Sequence, residues 1–143
     1  MTQYPQLLLE NQLCFPLYAC SKEIVRLYAP YLEPYNLTYT HYIVMMVLWE
    51  KGDVTVSELG KALYLDSGTL TPVLKKLQAH GYVVRKRRPD DERCVIVSPT
   101  EEGLELREKL ADVPMKVGSL MKLSPEEAGS LYKMLYKVLE GLQ

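Results

Sequence analysis

Tyr64-Leu65-Asp66-Ser67-Gly68-Thr69-Leu70-Thr71-Pro72-Val73-Leu74-Lys75-Lys76-Leu77, followed by Arg85-Lys86-Arg87-Arg88-Pro89-Asp90-Asp91-Glu92-Arg93, decides the fold of this 143-residue chain. Asp66 or Ser67 caps a helix with Leu70, Val73, Leu74 and Leu77 turned inward and Gly81 at its end. Pro72 must then sit in the first turn, where a missing N–H is tolerated. Just upstream, Thr55-Val56-Ser57-Glu58 is a capping-box pattern for a short helix ending near Leu63. Two helices so closely joined read as a helix-turn-helix. Tyr82-Val83-Val84 and Cys94-Val95-Ile96-Val97 are β-rich, with Pro89-Asp90-Asp91-Glu92 as the turn between them. That hairpin is a basic wing.

Working outward, residues 8–29 read as a helix with Leu13, Leu17, Ile24, Leu27 and Tyr28 as its apolar positions. Pro16 puts its regular start near Gln12 to Phe15, or kinks it there, and Pro30 and Pro34 end it. Thr40 can cap a second helix, His41 to Lys51, stopped by Gly52. Thr100 caps a fifth helix that Pro114 interrupts. Ser124-Pro125-Glu126-Glu127 is a second capping box, opening a last helix with Leu131, Leu135, Val138, Leu139 and Leu142 on one side. The fold class is mainly α with a small β wing: a winged helix-turn-helix in one domain, 1–143. Residues 36–100 form the DNA-binding region, and 1–35 and 101–143 supply dimerisation helices. Those flanking helices are apolar on more than one face, which a monomer of this size has little means to bury.

The net charge is −1, and its distribution matters more than its sum. Residues 61–93 carry eight cations and four anions, a local +4 against −5 elsewhere. Screening acts over ~8 Å, so a local basic face suffices for phosphate. There is no apolar run long enough to span a membrane and no signal-peptide pattern at the N-terminus, so a cytoplasmic protein is expected. The three cysteines have no metal-like spacing. Cys14, Cys20, Cys94, His41 and His80 form no recognised ligand set, so neither metal nor cofactor is expected. Cys14 and Cys20 lie about 9 Å apart along a helix, too far for a bridge.

The sequence resembles the MarR family of bacterial regulators, and within it the organic-hydroperoxide-sensing OhrR branch. The resemblance covers nearly the whole chain. It is carried by Glu10-Asn11-Gln12-Leu13-Cys14-Phe15, Leu17-Tyr18-Ala19, Asn36-Leu37-Thr38-Tyr39, Leu48-Trp49-Glu50, Tyr64 to Leu70 with Thr71-Pro72, and Asp90-Asp91-Glu92-Arg93. Two positions depart from the pattern: Pro16, where a small or apolar residue is expected, and His41, in place of a frequent proline. No cysteine falls in the C-terminal helices, which points to the one-cysteine type.

The resemblance implies a homodimeric repressor on a pseudo-palindromic operator in double-stranded DNA, with an organic hydroperoxide as inducer. Cys14 would be oxidised to a sulfenic acid and captured by a small cellular thiol. Tyr28 and Tyr39, from another part of the dimer, would donate hydroxyl hydrogen bonds to its sulfur, and Tyr18, one turn from Cys14, is a further pocket candidate. For DNA, Ser67, Gly68, Thr69 and Thr71 stand at the reading end of the recognition helix. Lys75 and Lys76 reach for the backbone, and Arg85 and Arg87 are the wing's candidates. Arg93 would enter the minor groove with Asp91 as its orienting partner. Three other readings remain: a regulator controlled by a small aromatic ligand, a broader thiol-based stress or virulence regulator, and a thiol peroxidase using Cys14.

Overall fold

The structure, a computed structural model, describes residues 3–143. The chain forms two compact units, Met1–Ala111 and Asp112–Gln143.

The first unit opens on two single-turn 3-10 helices, Pro5–Leu7 and Leu9–Asn11, and then α1, Cys14–Leu32. The start of α1 at Cys14 falls inside the Gln12-to-Phe15 window that Pro16 set, and the described residues before it are not α-helical. Pro16 is the third residue of α1, where backbone amides have no partner within the helix in any case. Pro30 does not end α1. It lies in the last turn, and the amide of Glu33 still bonds the Ala29 carbonyl. The helix therefore continues to the buried Leu32.

Helix α2, Tyr39–Lys51, begins two residues earlier than expected, because its cap is Thr38 and not Thr40. Thr38 Oγ1 accepts the His41 amide, and His41 Nδ1 accepts the Thr38 amide in return. These reciprocal bonds set the boundary. Gly52, at φ +74°, closes the helix.

Strand β1, Val54–Thr55, is too short to be read from sequence. It pairs with β3, Val54 opposite Val97 and Thr55 opposite Ile96. Helix α3, Val56–Leu63, follows with the expected Thr55–Glu58 capping box. Helix α4, Ser67–Ala79, is capped by Asp66, whose Oδ1 accepts the Thr69 amide at 2.7 Å. Between the two helices Tyr64 takes a left-handed conformation, and the Leu65 amide bonds the Gly60 carbonyl. A Cβ on Gly60 would lie 2.6 Å from the Leu65 carbonyl oxygen. Only glycine allows the turn to fold back so closely.

Strands β2, Val83–Arg88, and β3, Asp91–Pro99, make the wing, and the sheet order is β1-β3-β2. The tip is tighter than expected. Asp91 and Glu92 belong to β3, leaving Pro89 and Asp90 as the turn. Arg87 faces Val95 while Arg88 faces Asp91, so Glu92, Arg93 and Cys94 bulge from the return strand. Helix α5, Glu101–Leu110, is capped by Thr100. The buried core takes Val44, Met45 and Leu48 from α2, Leu59 from α3, and Leu70, Leu74 and Leu77 from α4. Val83, Val97 and Leu106 are buried as well.

The second unit holds α6, Val113–Leu120, and α7, Pro125–Gly141. Pro114 sits in the first turn of α6; it opens a helix rather than interrupting α5. Ser124 and Glu127 form the expected capping box of α7. Helix α7 buries no residue, and Leu131, Tyr132, Met134, Leu135, Tyr136 and Val138 are exposed along it.

Gly60→Ala should cost about 1–3 kcal/mol, the usual penalty for forcing a methyl into packed space. Thermal unfolding at fixed protein concentration measures it. An unchanged midpoint would mean that the turn can open without loss.

Candidate functional site

Two clusters of functional side chains lie within the first unit. The first is a cleft of about 430 Å³ between the start of α4 and the wing. Ser67, Thr71 and Lys75 line it from α4, Arg85 and Arg87 from β2, and Arg93 and Cys94 from β3. The alternation of a strand puts Arg85 and Arg87 on one face and sends Lys86 to the other. Thr55, Val56 and Ser57 also line the cleft. Sequence reasoning missed them because their place beside the wing depends on the β1–β3 pairing.

The polar groups in and around the cleft are partly committed. Arg85 Nε donates to Gln78 Oε1 at 2.9 Å, and Arg87 donates to the Glu92 carbonyl at 2.6 Å. Thr71 Oγ1 donates to the Ser67 carbonyl, so its oxygen lone pairs remain to accept. Asp91 Oδ1 accepts both the backbone amide of Arg93 at 3.0 Å and its Nε at 3.4 Å. The Arg93 side chain is 94% exposed. An ion pair so open to water is weak and readily exchanged for another anion. Gly68 and Thr69 stand exposed at the start of α4, outside the cleft lining. The Thr69 amide is spent on Asp66, and that bond holds the Asp66 carboxyl below the usual carboxylate range. Lys76 also lies outside the cleft lining; its charge acts on His41 instead.

The second cluster is aromatic. Tyr28 of α1 meets Tyr39 of α2 edge-on, ring centroids 4.9 Å apart. Tyr42, one turn along α2, lies 5.5 Å from Tyr28 and 6.1 Å from Tyr39. Burial pushes all three phenols up, and neighbouring phenols add to this for Tyr39 and Tyr42. Tyr42 is pushed up to about 12. All three therefore stay protonated at neutral pH and can donate a hydrogen bond. The Tyr39-x-x-Tyr42 spacing could have flagged Tyr42, since residues three apart share a helix face.

Cys14 is the first residue of α1 and is exposed. Tyr18 is exposed beside it, with the Lys22 ammonium 5.4 Å from its ring centre. Fourteen residues of straight helix separate Cys14 from Tyr28, about 21 Å at the α-helical rise. One chain therefore does not bring Cys14 to its own tyrosine cluster. Cys20 is exposed on α1, and Cys94 is half-buried in the wing. Among the described residues, no three His, Cys, Asp or Glu groups gather to hold a metal ion, and no helix is long and apolar enough to cross a membrane.

A helix-turn-helix, a three-stranded wing and a cationic cleft between them define a winged-helix regulator. The sequence model of the family described as transcriptional regulator SarA/Rot matches residues 26–110. The organic hydroperoxide resistance transcriptional regulator of Bacillus subtilis (strain 168) is 46% identical over 140 residues, spanning 98% of this chain and 95% of that protein. SarZ, an HTH-type transcriptional regulator of Staphylococcus aureus (strain USA300), is 44% identical over 127 residues, 89% and 86% of the two chains. Among solved structures, reduced AbfR bound to DNA superposes with a TM-score of 0.80 at 33% identity, covering 96% of each chain. The chain belongs to the SarA/Rot transcriptional regulators, MarR-like winged-helix proteins. These relatives are regulators and not enzymes, which removes the thiol-peroxidase reading.

His41 adds a titrating group at the head of α2. It is buried, and its Nδ1 lies 2.9 Å from the Thr38 amide it accepts from. Only the neutral ring can accept there. Burial lowers its proton affinity, and Lys76 and His80 lower it further. The folded state thus binds fewer protons than the unfolded chain, so this contribution to stability is complete above the ordinary value of 6.5. It is lost as pH falls from there through the lowered folded-state value. His41→Gln keeps a capping-box acceptor that does not titrate. Denaturant midpoints should fall more steeply for the wild type than for His41→Gln between about pH 7 and about pH 5. Equal slopes would remove His41 as the source.

Proposed function

We propose that the protein is a dimeric, cytoplasmic transcriptional repressor that binds a pseudo-palindromic operator and releases it when an organic hydroperoxide oxidises Cys14. Residues 36–100 read DNA, and residues 1–35 and 101–143 form the dimer. The observation that carries this reading is the separation on α1. An exposed Cys14 stands at one end and a cluster of neutral phenol donors about 21 Å away at the other. A second chain is needed to bring a sulfur to each cluster. Exposed Leu13, Phe15, Leu17 and Tyr18, together with the apolar residues of α7, supply surface for such a dimer.

The chemistry balances within this arrangement. The Cys14 thiolate attacks the terminal peroxide oxygen, an S–O bond forms, and the O–O bond breaks. The alkoxide leaves with both bonding electrons and takes a proton, giving an alcohol. A small thiol then condenses with the sulfenic acid, releasing water and leaving a mixed disulfide. Tyr28 and Tyr39 hold the reduced sulfur and lose that contact on oxidation. On the reading face Ser67, Gly68, Thr69, Thr71, Lys75 and Lys76 approach one groove and its phosphates. Arg85 and Arg87 hold the backbone, and Arg93, oriented by Asp91, enters the minor groove.

Cys14→Ser should bind operator DNA like the wild type and keep it after an organic hydroperoxide and a small thiol are added. Fluorescence anisotropy at fixed salt reads both. Wild-type release that persists unchanged in Cys14→Ser would refute the redox site. Release of reduced protein by a phenolic acid would instead favour control by an aromatic ligand.

Arg93→Ala should weaken operator binding and lower the slope of log affinity against log salt by about 2, because the dimer loses one charge from each of its two wings. The same affinity and slope as the wild type would take Arg93 off the DNA.

A further inference from the structure

We propose that Trp49 is a positioning residue that passes a change at the tyrosine cluster to the base of the wing; the inference rests on the hydroperoxide reading above. Trp49 is the chain's only tryptophan. Its ring meets Tyr42 edge-on, centroids 6.3 Å apart. Its Nε1 donates to the Gly103 carbonyl of α5 at 2.8 Å, a bond spanning 54 residues of sequence. Gly103 in turn lies flush on Tyr82, where a Cβ would collide with the Tyr82 carbonyl oxygen. Tyr82 is the residue that leads into β2.

The contacts therefore run from Tyr28 and Tyr39 through Tyr42, Trp49 and Gly103 to Tyr82. None of them ends in a long, adaptable side chain. Tyr42 is only 2% exposed, so its ring has no open space in which to absorb a displacement. Tilting the indole must then move α5 or break the bond to Gly103, because the indole offers a single donor and the bond tolerates little misalignment.

The experiment compares operator affinity before and after treatment with an organic hydroperoxide and a small thiol, for the wild type and for Trp49→Phe. Phenylalanine keeps a ring against Tyr42 and deletes the N–H. The wild type should lose about tenfold or more in affinity on oxidation, a usual size for coupling between sites. Trp49→Phe should bind like the wild type when reduced and lose no more than about threefold when oxidised. Equal losses in both proteins, even with weaker binding in each, would overturn the inference and leave a packing role. A wild type that keeps its operator after oxidation would overturn the hydroperoxide reading itself, and this inference with it. Indole emission gives a second measurement without any variant at position 49. It should shift on oxidation of the wild type and stay unchanged in Cys14→Ser. Release of DNA with no emission shift would also overturn the role of Trp49.

Discussion

The fixation of Tyr82 is the constraint on which the placement of the wing depends. Its amide bonds the Leu77 carbonyl at the end of α4, and its own carbonyl accepts the Thr100 amide at the head of α5. Its phenol donates to the Tyr35 carbonyl, just after α1. Thr100 Oγ1 clasps the neighbouring Gly81 carbonyl. These bonds tie one backbone position to three helical elements and the sheet. Partly buried backbone bonds of this kind are costly to leave unmade, so the wing cannot swing without giving up several together. The angle between α4 and β2, and hence the shape of the cationic cleft, follows from that joint.

Charge is placed to match. The body of the chain is mildly acidic, while α4 and the wing hold most of the local positive excess. Several wing cations are already engaged, Arg88 with Asp90 and Arg93 with Asp91. Exposed pairs like these bind weakly, so they position a side chain without withholding it from a phosphate. The interior carries the opposite character. Burial moves the phenols of Tyr28, Tyr39 and Tyr42 still further from ionisation, and burial with nearby positive charge favours the neutral form of His41.

The proposed sensing chemistry inherits a geometric restriction from α1. A straight helix cannot fold Cys14 back onto Tyr28, so a complete sensor needs a second chain. The apolar surface left open on α1 and α7 has the same requirement. In this reading the sensor forms only where the dimer forms, and sulfur chemistry at one end of α1 bears on the wing through the other protomer's tyrosines.

The sequence by itself determined most of the helices, the caps of α3, α5 and α7, and the choice of Asp66 or Ser67 for α4. Thr55 with Glu58, Asp66, Thr100 and Ser124 with Glu127 act through bonds of three or fewer residues' separation, which local pattern encodes. The winged-helix class and the basic wing followed from the same local signals. Elsewhere local rules misjudged the boundaries. Pro30 was expected to end α1, yet one missing amide in a last turn did not. Thr40 was expected to cap α2, yet Thr38 found a better partner in the His41 ring. Tertiary structure decided what no local pattern encodes: the two-residue β1, the entry of Thr55 to Ser57 into the cleft, the tight wing tip and its bulge, and the indole bond from Trp49 to Gly103. Each of these depends on a partner 40 or more residues away or on strand register, and such pairings exist only once the chain has closed on itself.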